Sequence, residues 1–310
     1  MNADVDRKAA ARRFTMPDGI ELVADTWGAP DKPPVILLHG GGQTRHAWKR
    51  TAQVLAAAGF HAVAVDLRGH GDSGWSPDGD YAIDRFAADV RALARTFSSK
   101  PVLVGASLGG IASLIAEGEA ERSIAAALVL VDITPCVDPD GVAKIRGFMA
   151  SHTDSGFASL DEAAAAVAAY LPHRPRPRSV DGLRKNLRLG PDGRYRWHYD
   201  PAFVHDRVAV DDVARQRRLS AAAGRIGVPV LLVRGGSSEL VSEAAAREFV
   251  TLVPGATYVD VRGAGHMVAG DVNDAFTREV ARFLAGLPQS PSASARDSAA
   301  ASRGGAAARA

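Results

Sequence analysis

Nine residues constrain this chain more than any others: Val102-Leu103-Val104-Gly105-Ala106-Ser107-Leu108-Gly109-Gly110. Val102 to Val104 predicts a short buried strand, and the residues after Gly110 predict a helix. A chain that passes from strand to helix through Gly-x-Ser-x-Gly holds its serine in a strained turn, where larger neighbours would clash. That turn lifts the Ser107 hydroxyl clear of a sheet edge. The helix N-terminus behind it favours developing negative charge. A Gly/Ser-rich turn alone has the same composition, and it is the strand and the helix on either side that mark Ser107 as a candidate nucleophile.

Short apolar runs alternate with stretches of helical period along most of the chain, the pattern of a mostly parallel sheet covered by helices. Arg13 to Thr15 and Ile20 to Thr26, separated by Pro17-Asp18-Gly19, predict an opening antiparallel hairpin. Strands are expected at Val35–Leu38, Ala62–Val65, Val102–Val104, Ala126–Val131, Pro229–Val233 and Thr257–Val261. Helices are expected at Trp48–Ala58, Tyr81–Phe97, Ser242–Leu252 and Asp274–Leu287. The alternation stops after Val131 and resumes near Val228. Residues 135–223 are therefore expected to form an inserted, largely helical cap, with one clear helix at Leu160–Tyr170. Residues 1–134 and 224–287 would form the core. From Pro288 to 310 the chain holds Ser, Ala, Gly, Arg and Pro with no large apolar residue, the composition of a disordered tail.

Composition narrows the class. The 310 residues are 46% hydrophobic and 23% charged, ample for a core. Lys and Arg number 37 against 35 Asp and Glu, a net charge of +2 that argues against a nucleic-acid partner or an anionic membrane. A single cysteine excludes an intramolecular disulfide and a cysteine-based zinc cluster. The N-terminus lacks the apolar core of a secretory signal, and the longest aliphatic run, Ile124–Val131, is too short to span a bilayer. A cytoplasmic location is expected.

Two further motifs bear on chemistry. Leu37-Leu38-His39-Gly40-Gly41-Gly42 ends an earlier strand, where glycines let backbone N–H groups point into a site. With the N–H of Leu108, that of Gly41 would bind an oxyanion, each donor worth roughly 2.7–4 kcal/mol. Gly42 belongs to the same turn and is a candidate substrate contact. His39 is expected to orient or pack within it. Val261-Arg262-Gly263-Ala264-Gly265-His266 follows the last strand, so His266 reaches the C-terminal edge of the sheet, where ligands bind in open α/β folds. Among the histidines at strand ends, His266 alone follows Ser107, and it is the candidate base.

Taken with the loop Asp66-Leu67-Arg68-Gly69-His70-Gly71-Asp72-Ser73, these motifs resemble the α/β-hydrolase family in kind and order, over about residues 12–287. The Arg68-Gly69-His70-Gly71 loop is similar to those of haloperoxidase-like esterases, epoxide hydrolases and dehalogenases. The last two place aspartate at the position of Ser107, so a serine there implies acyl transfer. The resemblance implies a Ser-His-acid triad that needs neither a metal nor an organic cofactor. Two acids compete for the third place. Glu239 follows the strand after the cap, where most of the family keeps its acid. Asp132, in Val131-Asp132-Ile133-Thr134-Pro135, follows the strand before the cap, where some dehalogenases and C–N hydrolases keep theirs. Asp132 is preferred, because it is short and Pro135 fixes its exit. Asp66, Arg68 and Asp72 are read as loop-fixing charges.

The cap would choose the substrate. Residues 172–198 hold eight Arg and Lys against two Asp, a positive lid suited to an acidic small molecule. The same charges also suit a solvated surface. Trp75 and Trp197 are candidate substrate contacts. The expected activity is hydrolysis of a small ester, lactone or amide. The same triad also serves perhydrolysis or C–C bond cleavage, and the same fold can serve as a small-ligand sensor. A homodimer is compatible with all of these.

Overall fold

The computed structural model describes residues 9–172, 180–205, 212–268 and 273–288. The tail beyond 288 and the Pro/Arg run 173–179 lie outside them. Five-residue strands whose every side chain is buried need cover on both faces, and the apolar runs provide it. An eight-stranded sheet results, built from β1 (Ala10–Thr15), β2 (Glu21–Trp27), β3 (Pro34–Leu38), β4 (His61–Val65), β5 (Val102–Ala106), β6 (Ala127–Val131), β9 (Val230–Gly235) and β10 (Ala256–Val261). Their spatial order is β1-β2-β4-β3-β5-β6-β9-β10. β1 and β2 pair antiparallel, as do β2 and β4, and the rest are parallel.

Alternate strand residues face opposite sides. Ile36, Leu38, Leu103, Leu128, Leu130 and Leu232 share one core with α2 (Ile83–Ala94), α3 (Leu108–Gly118) and α8 (Glu243–Leu252). Val35, Leu37, Val104, Val129 and Leu231 share the other with α1 (Lys49–Ala57) and α9 (Asn273–Ala285), where Trp48 meets Phe276 at 5.8 Å between ring centroids. Among the described residues, no helix is long and apolar enough to cross a membrane.

Between β6 and β9 the chain forms α4 (Pro139–Ala150), α5 (Leu160–Tyr170), the hairpin β7 (Leu187–Leu189) and β8 (Tyr195–Trp197), α6 (Ala202–His205) and α7 (Asp212–Ala223). The expected, largely helical cap thus also carries a short hairpin, and a strand of three residues is too short to show a period in sequence. α4 was also unforeseen, although its start is legible. Asp138 accepts the N–H groups of Asp140 and Gly141 at 2.9 and 3.1 Å, and Pro139 occupies the first helical position. The last helix of the segment, α7, packs on α3 instead of over the site. Leu219, Ala222 and Ala223 join the core, and a Cβ at Gly118 would lie 2.2 Å from the carbonyl oxygen of Ala222.

The loop after β4 is held by buried charges, as the sequence suggested for Asp66, Arg68 and Asp72. The Asp66 carboxylate accepts the backbone N–H groups of Arg45 and Asp72 at 2.6 and 2.9 Å and also takes the Arg45 guanidinium. Arg68, 2% exposed, donates from Nε to Asp89 Oδ2 at 2.6 Å. Asp89→Ala removes the buried partner of that guanidinium and leaves it the partly exposed Asp18, whose Oδ2 lies 2.8 Å away. It is expected to lower unfolding free energy by roughly 3–5 kcal/mol in urea titrations. A loss below about 1 kcal/mol would contradict this account.

Candidate active site

Strand register places the first two groups. β5 and β6 are parallel with Ala106 opposite Val131, so Ser107 and Asp132 leave the C-terminal edge of the sheet side by side. Both have positive φ, +45° and +50°. At Ser107, ψ is −111°, a conformation costing on the order of 1–3 kcal/mol unless its surroundings impose it. They do so through close approach. A Cβ on Gly105 would lie 2.4 Å from the carbonyl oxygen of Gly109, and one on Gly109 would lie 2.5 Å from that of Leu38. Both flanking glycines of the motif are therefore required. α3 begins immediately, with the Ile111 N–H donating to the Ser107 carbonyl at 2.8 Å.

Asp132 is fully buried, and three donors converge on it. The Gly235 N–H donates to Oδ1 at 3.0 Å. The Ser238 hydroxyl donates to Oδ2 at 2.6 Å. His266 Nδ1 meets the same Oδ2 at 2.7 Å. A carboxylate only accepts, so Nδ1 carries the imidazole proton and Nε2 presents a lone pair. Glu239 lies one residue beyond Ser238 yet turns elsewhere. Its side chain is 34% exposed and sits 3.6 Å from Lys144 Nζ on α4. The fold thus brings Asp132, and not Glu239, to His266. Among the described residues, the Ser107 hydroxyl and Nε2 of His266 are not hydrogen-bonded to each other. Such contacts tighten when substrate binds.

In the glycine turn after β3, the first and third glycines have their N–H groups paired. Gly40 N–H donates to Gln43 Oε1 at 3.1 Å, and Gly42 N–H donates to His70 Nε2 at 3.1 Å. Among the described residues, the N–H groups of Gly41, between them, and of Leu108 meet no protein acceptor. A Cβ on Gly40 would lie 3.4 Å from Ser107 Cβ, so this turn borders the serine.

His39 is an orienting residue here. Nδ1–H donates to the Gly40 carbonyl at 2.8 Å, and Nε2 accepts the Leu67 N–H at 3.0 Å. Burial disfavours its imidazolium and pulls its pKa from 6.5 down to about 4. In the unfolded chain it titrates at its ordinary value. Between those pH values the unfolded state therefore binds more protons, and stability falls on acidification, by up to about 1.4 kcal/mol per pH unit for one group. Urea midpoints measured at pH 7, 5.5 and 4.5 should decline in that order, and a flat series would contradict the assignment.

The cap covers the glycine turn with residues that sequence reading missed. A Cβ on Gly41 would lie 3.3 Å from Phe203 Cζ, and one on Gly42 would lie 3.2 Å from Met149 Cε and 3.5 Å from Tyr199 Cε1. No local period marks these three, because they come from separate elements of the insertion. Trp75 is 43% exposed, with the Arg188 guanidinium 6.0 Å from its ring centroid. Trp197 packs between Phe148 and Phe157 within the cap. Several cations of the lid serve the protein itself. Arg188 donates to the Gly71 carbonyl at 2.8 Å, Arg194 to that of Gly156 at 3.0 Å, and Arg196 grips Asp192 at 2.9 and 2.7 Å. Arg174, Arg176 and Arg178 lie outside the described residues.

Comparison with known proteins places the fold in a family. An esterase of Mycobacterium tuberculosis is 33% identical over 229 residues, covering 72% of each chain. A 2-(acetamidomethylene)succinate hydrolase of Mesorhizobium japonicum is 31% identical over 241 residues, covering 76% of this chain and 82% of that one. The crystal structure of an E-2-(acetamidomethylene)succinate hydrolase superposes with a TM-score of 0.76 at 25% identity, covering 90% of this chain and all of that one. The family model described as the alpha/beta hydrolase fold matches residues 33–271, most of the sheet and everything that surrounds Ser107. The chain belongs to the α/β-hydrolase family and is an enzyme of that class.

Proposed function

We propose that this enzyme is a serine hydrolase that cleaves a small ester, lactone or amide through an acyl-enzyme on Ser107. The 2.7 Å pairing of Asp132 with His266, beside a serine in the strained strand–helix turn, carries the reading. His266 Nε2 takes the proton as Ser107 Oγ adds to the carbonyl carbon. The Gly41 and Leu108 N–H groups receive the oxyanion, and imidazolium is stabilised by Asp132. The leaving alcohol or amine departs with the proton from Nε2. Water, deprotonated by the same nitrogen, then releases the acid and restores Ser107.

A small substrate fits the cover over the turn. Met149, Tyr199 and Phe203 stand within about one methyl group of Gly41 and Gly42, so the acyl end meets an apolar wall at once. The lid cations engaged with carbonyl groups and Asp192 favour selection by shape at this end. Charge would act at the outer rim. The sensor reading is disfavoured by the Gly41 and Leu108 N–H groups, which meet no acceptor among the described residues, an arrangement suited to charge that develops during reaction.

A fluorophosphonate probe tests the proposal directly. One adduct per chain, located on Ser107 by peptide mass spectrometry and prevented by prior denaturation, is the expected result. Labelling elsewhere, or none at millimolar probe, would overturn it.

A further inference from the structure

The acid of this site is supported from a strand other than its own. Asp132 directly follows β6, whereas Gly235 ends β9 and Ser238 lies in the loop beyond it. Between them they hold both carboxylate oxygens. A serine hydroxyl has one proton to donate and two lone pairs to fill. At Ser238 both acceptor positions are occupied, by the N–H groups of Leu240 and Val241 at 3.1 Å each. Its proton therefore has one destination, Asp132 Oδ2 at 2.6 Å. That oxygen is also the one that meets His266. A donor locked by its own backbone neighbours cannot rotate away. The carboxylate cannot turn about its Cβ–Cγ bond without losing Ser238 at one oxygen and Gly235 at the other.

We infer that Ser238 is a positioning residue of the hydrolytic site, a fixed hydroxyl that orients the Asp132 carboxylate toward His266. It acts through Asp132 and touches neither substrate nor the reacting atoms. The inference rests on the serine-hydrolase reading for its kinetic consequence. The hydrogen-bond chain Ser238–Asp132–His266 is open to measurement without turnover.

The test uses the full-length protein and the variants Ser238→Ala and Ser238→Thr. Proton NMR reads the His266 Nδ1–H, which resonates far downfield when held by a carboxylate, and p-nitrophenyl acetate hydrolysis reads kcat and KM separately. In Ser238→Ala the imidazole signal should shift or broaden and kcat should fall about 10–100-fold, as for loss of an outer-shell hydrogen bond. KM should stay within about twofold, because nothing that touches substrate has changed. Ser238→Thr, which keeps the hydroxyl, should restore both signal and kcat. A purely structural role would lower the unfolding temperature while leaving kcat and the imidazole signal in place, and that outcome overturns the inference. So does an unchanged signal in Ser238→Ala, whatever the kinetics. Failure of the parent reading looks different: wild-type protein would show no Ser107-dependent hydrolysis while the imidazole signal still responded to Ser238.

Discussion

Ser107→Ala is expected to lower kcat for p-nitrophenyl acetate by about 10⁴–10⁶-fold, with KM within a few-fold of wild type. The loss is large because no neighbouring group can replace the hydroxyl. Asp132 is fully buried and hydrogen-bonded by three donors, the buried Ser113 and Thr134 hydroxyls donate to the carbonyls of Gly109 and Cys136, and Cys136 lies beyond the end of β6. Folding should survive, since alanine adds no bulk to a turn whose tight contacts involve Gly105 and Gly109. On the proposed mechanism, what activity remains would report the Gly41 and Leu108 N–H groups, which would still polarise a bound carbonyl. Rates within about tenfold of wild type would remove Ser107 from the mechanism.

The second large effect separates the two acids. Asp132→Asn should reduce kcat by about 10⁴-fold. The amide keeps the shape of the side chain but brings N–H groups of its own to a place where Gly235, Ser238 and His266 all donate. One of those donors must lose its acceptor, and the imidazole is driven to the tautomer with the proton on Nε2, which cannot take one from Ser107. Glu239→Gln should change kcat by no more than about threefold. Its carboxylate is partly exposed and opposes only Lys144 at 3.6 Å, a pair of the kind that contributes little. Steady-state kinetics on the two variants, side by side, decides between them. A severe loss in Glu239→Gln with a mild one in Asp132→Asn would reverse the assignment.

Much of the architecture was legible in sequence because it is local. The β5 strand, the two close-packed glycines and the start of α3 lie within a dozen residues, so the strand, turn and helix can be read together. His266 could be placed at the sheet edge for the same reason, following β10 directly. The segment between β6 and β9 is less legible in sequence. Its elements are short, β7 and β8 having three residues each, and periodicity needs length to show. The Asp138-Pro139 pair is nonetheless a local helix-start signal for α4. α7 could not be separated from the cap by composition, because its partner surface is α3, about a hundred residues earlier.

Sequence alone determined the strand–helix turn at Ser107, the glycine turn after β3 and the placement of His266 after the last strand, each legible from its immediate neighbours in the chain. Tertiary structure decided which carboxylate meets that histidine. It also decided what holds the carboxylate and which side chains cover the glycines. Asp132 is bound by residues 103, 106 and 134 positions away in the chain, and the cover is assembled from Met149, Tyr199 and Phe203. Two acids at the ends of neighbouring strands are equivalent in one dimension. They become different only when the sheet sets β6 between β5 and β9, so that Ser107, Asp132 and Ser238 emerge from three adjacent strand ends.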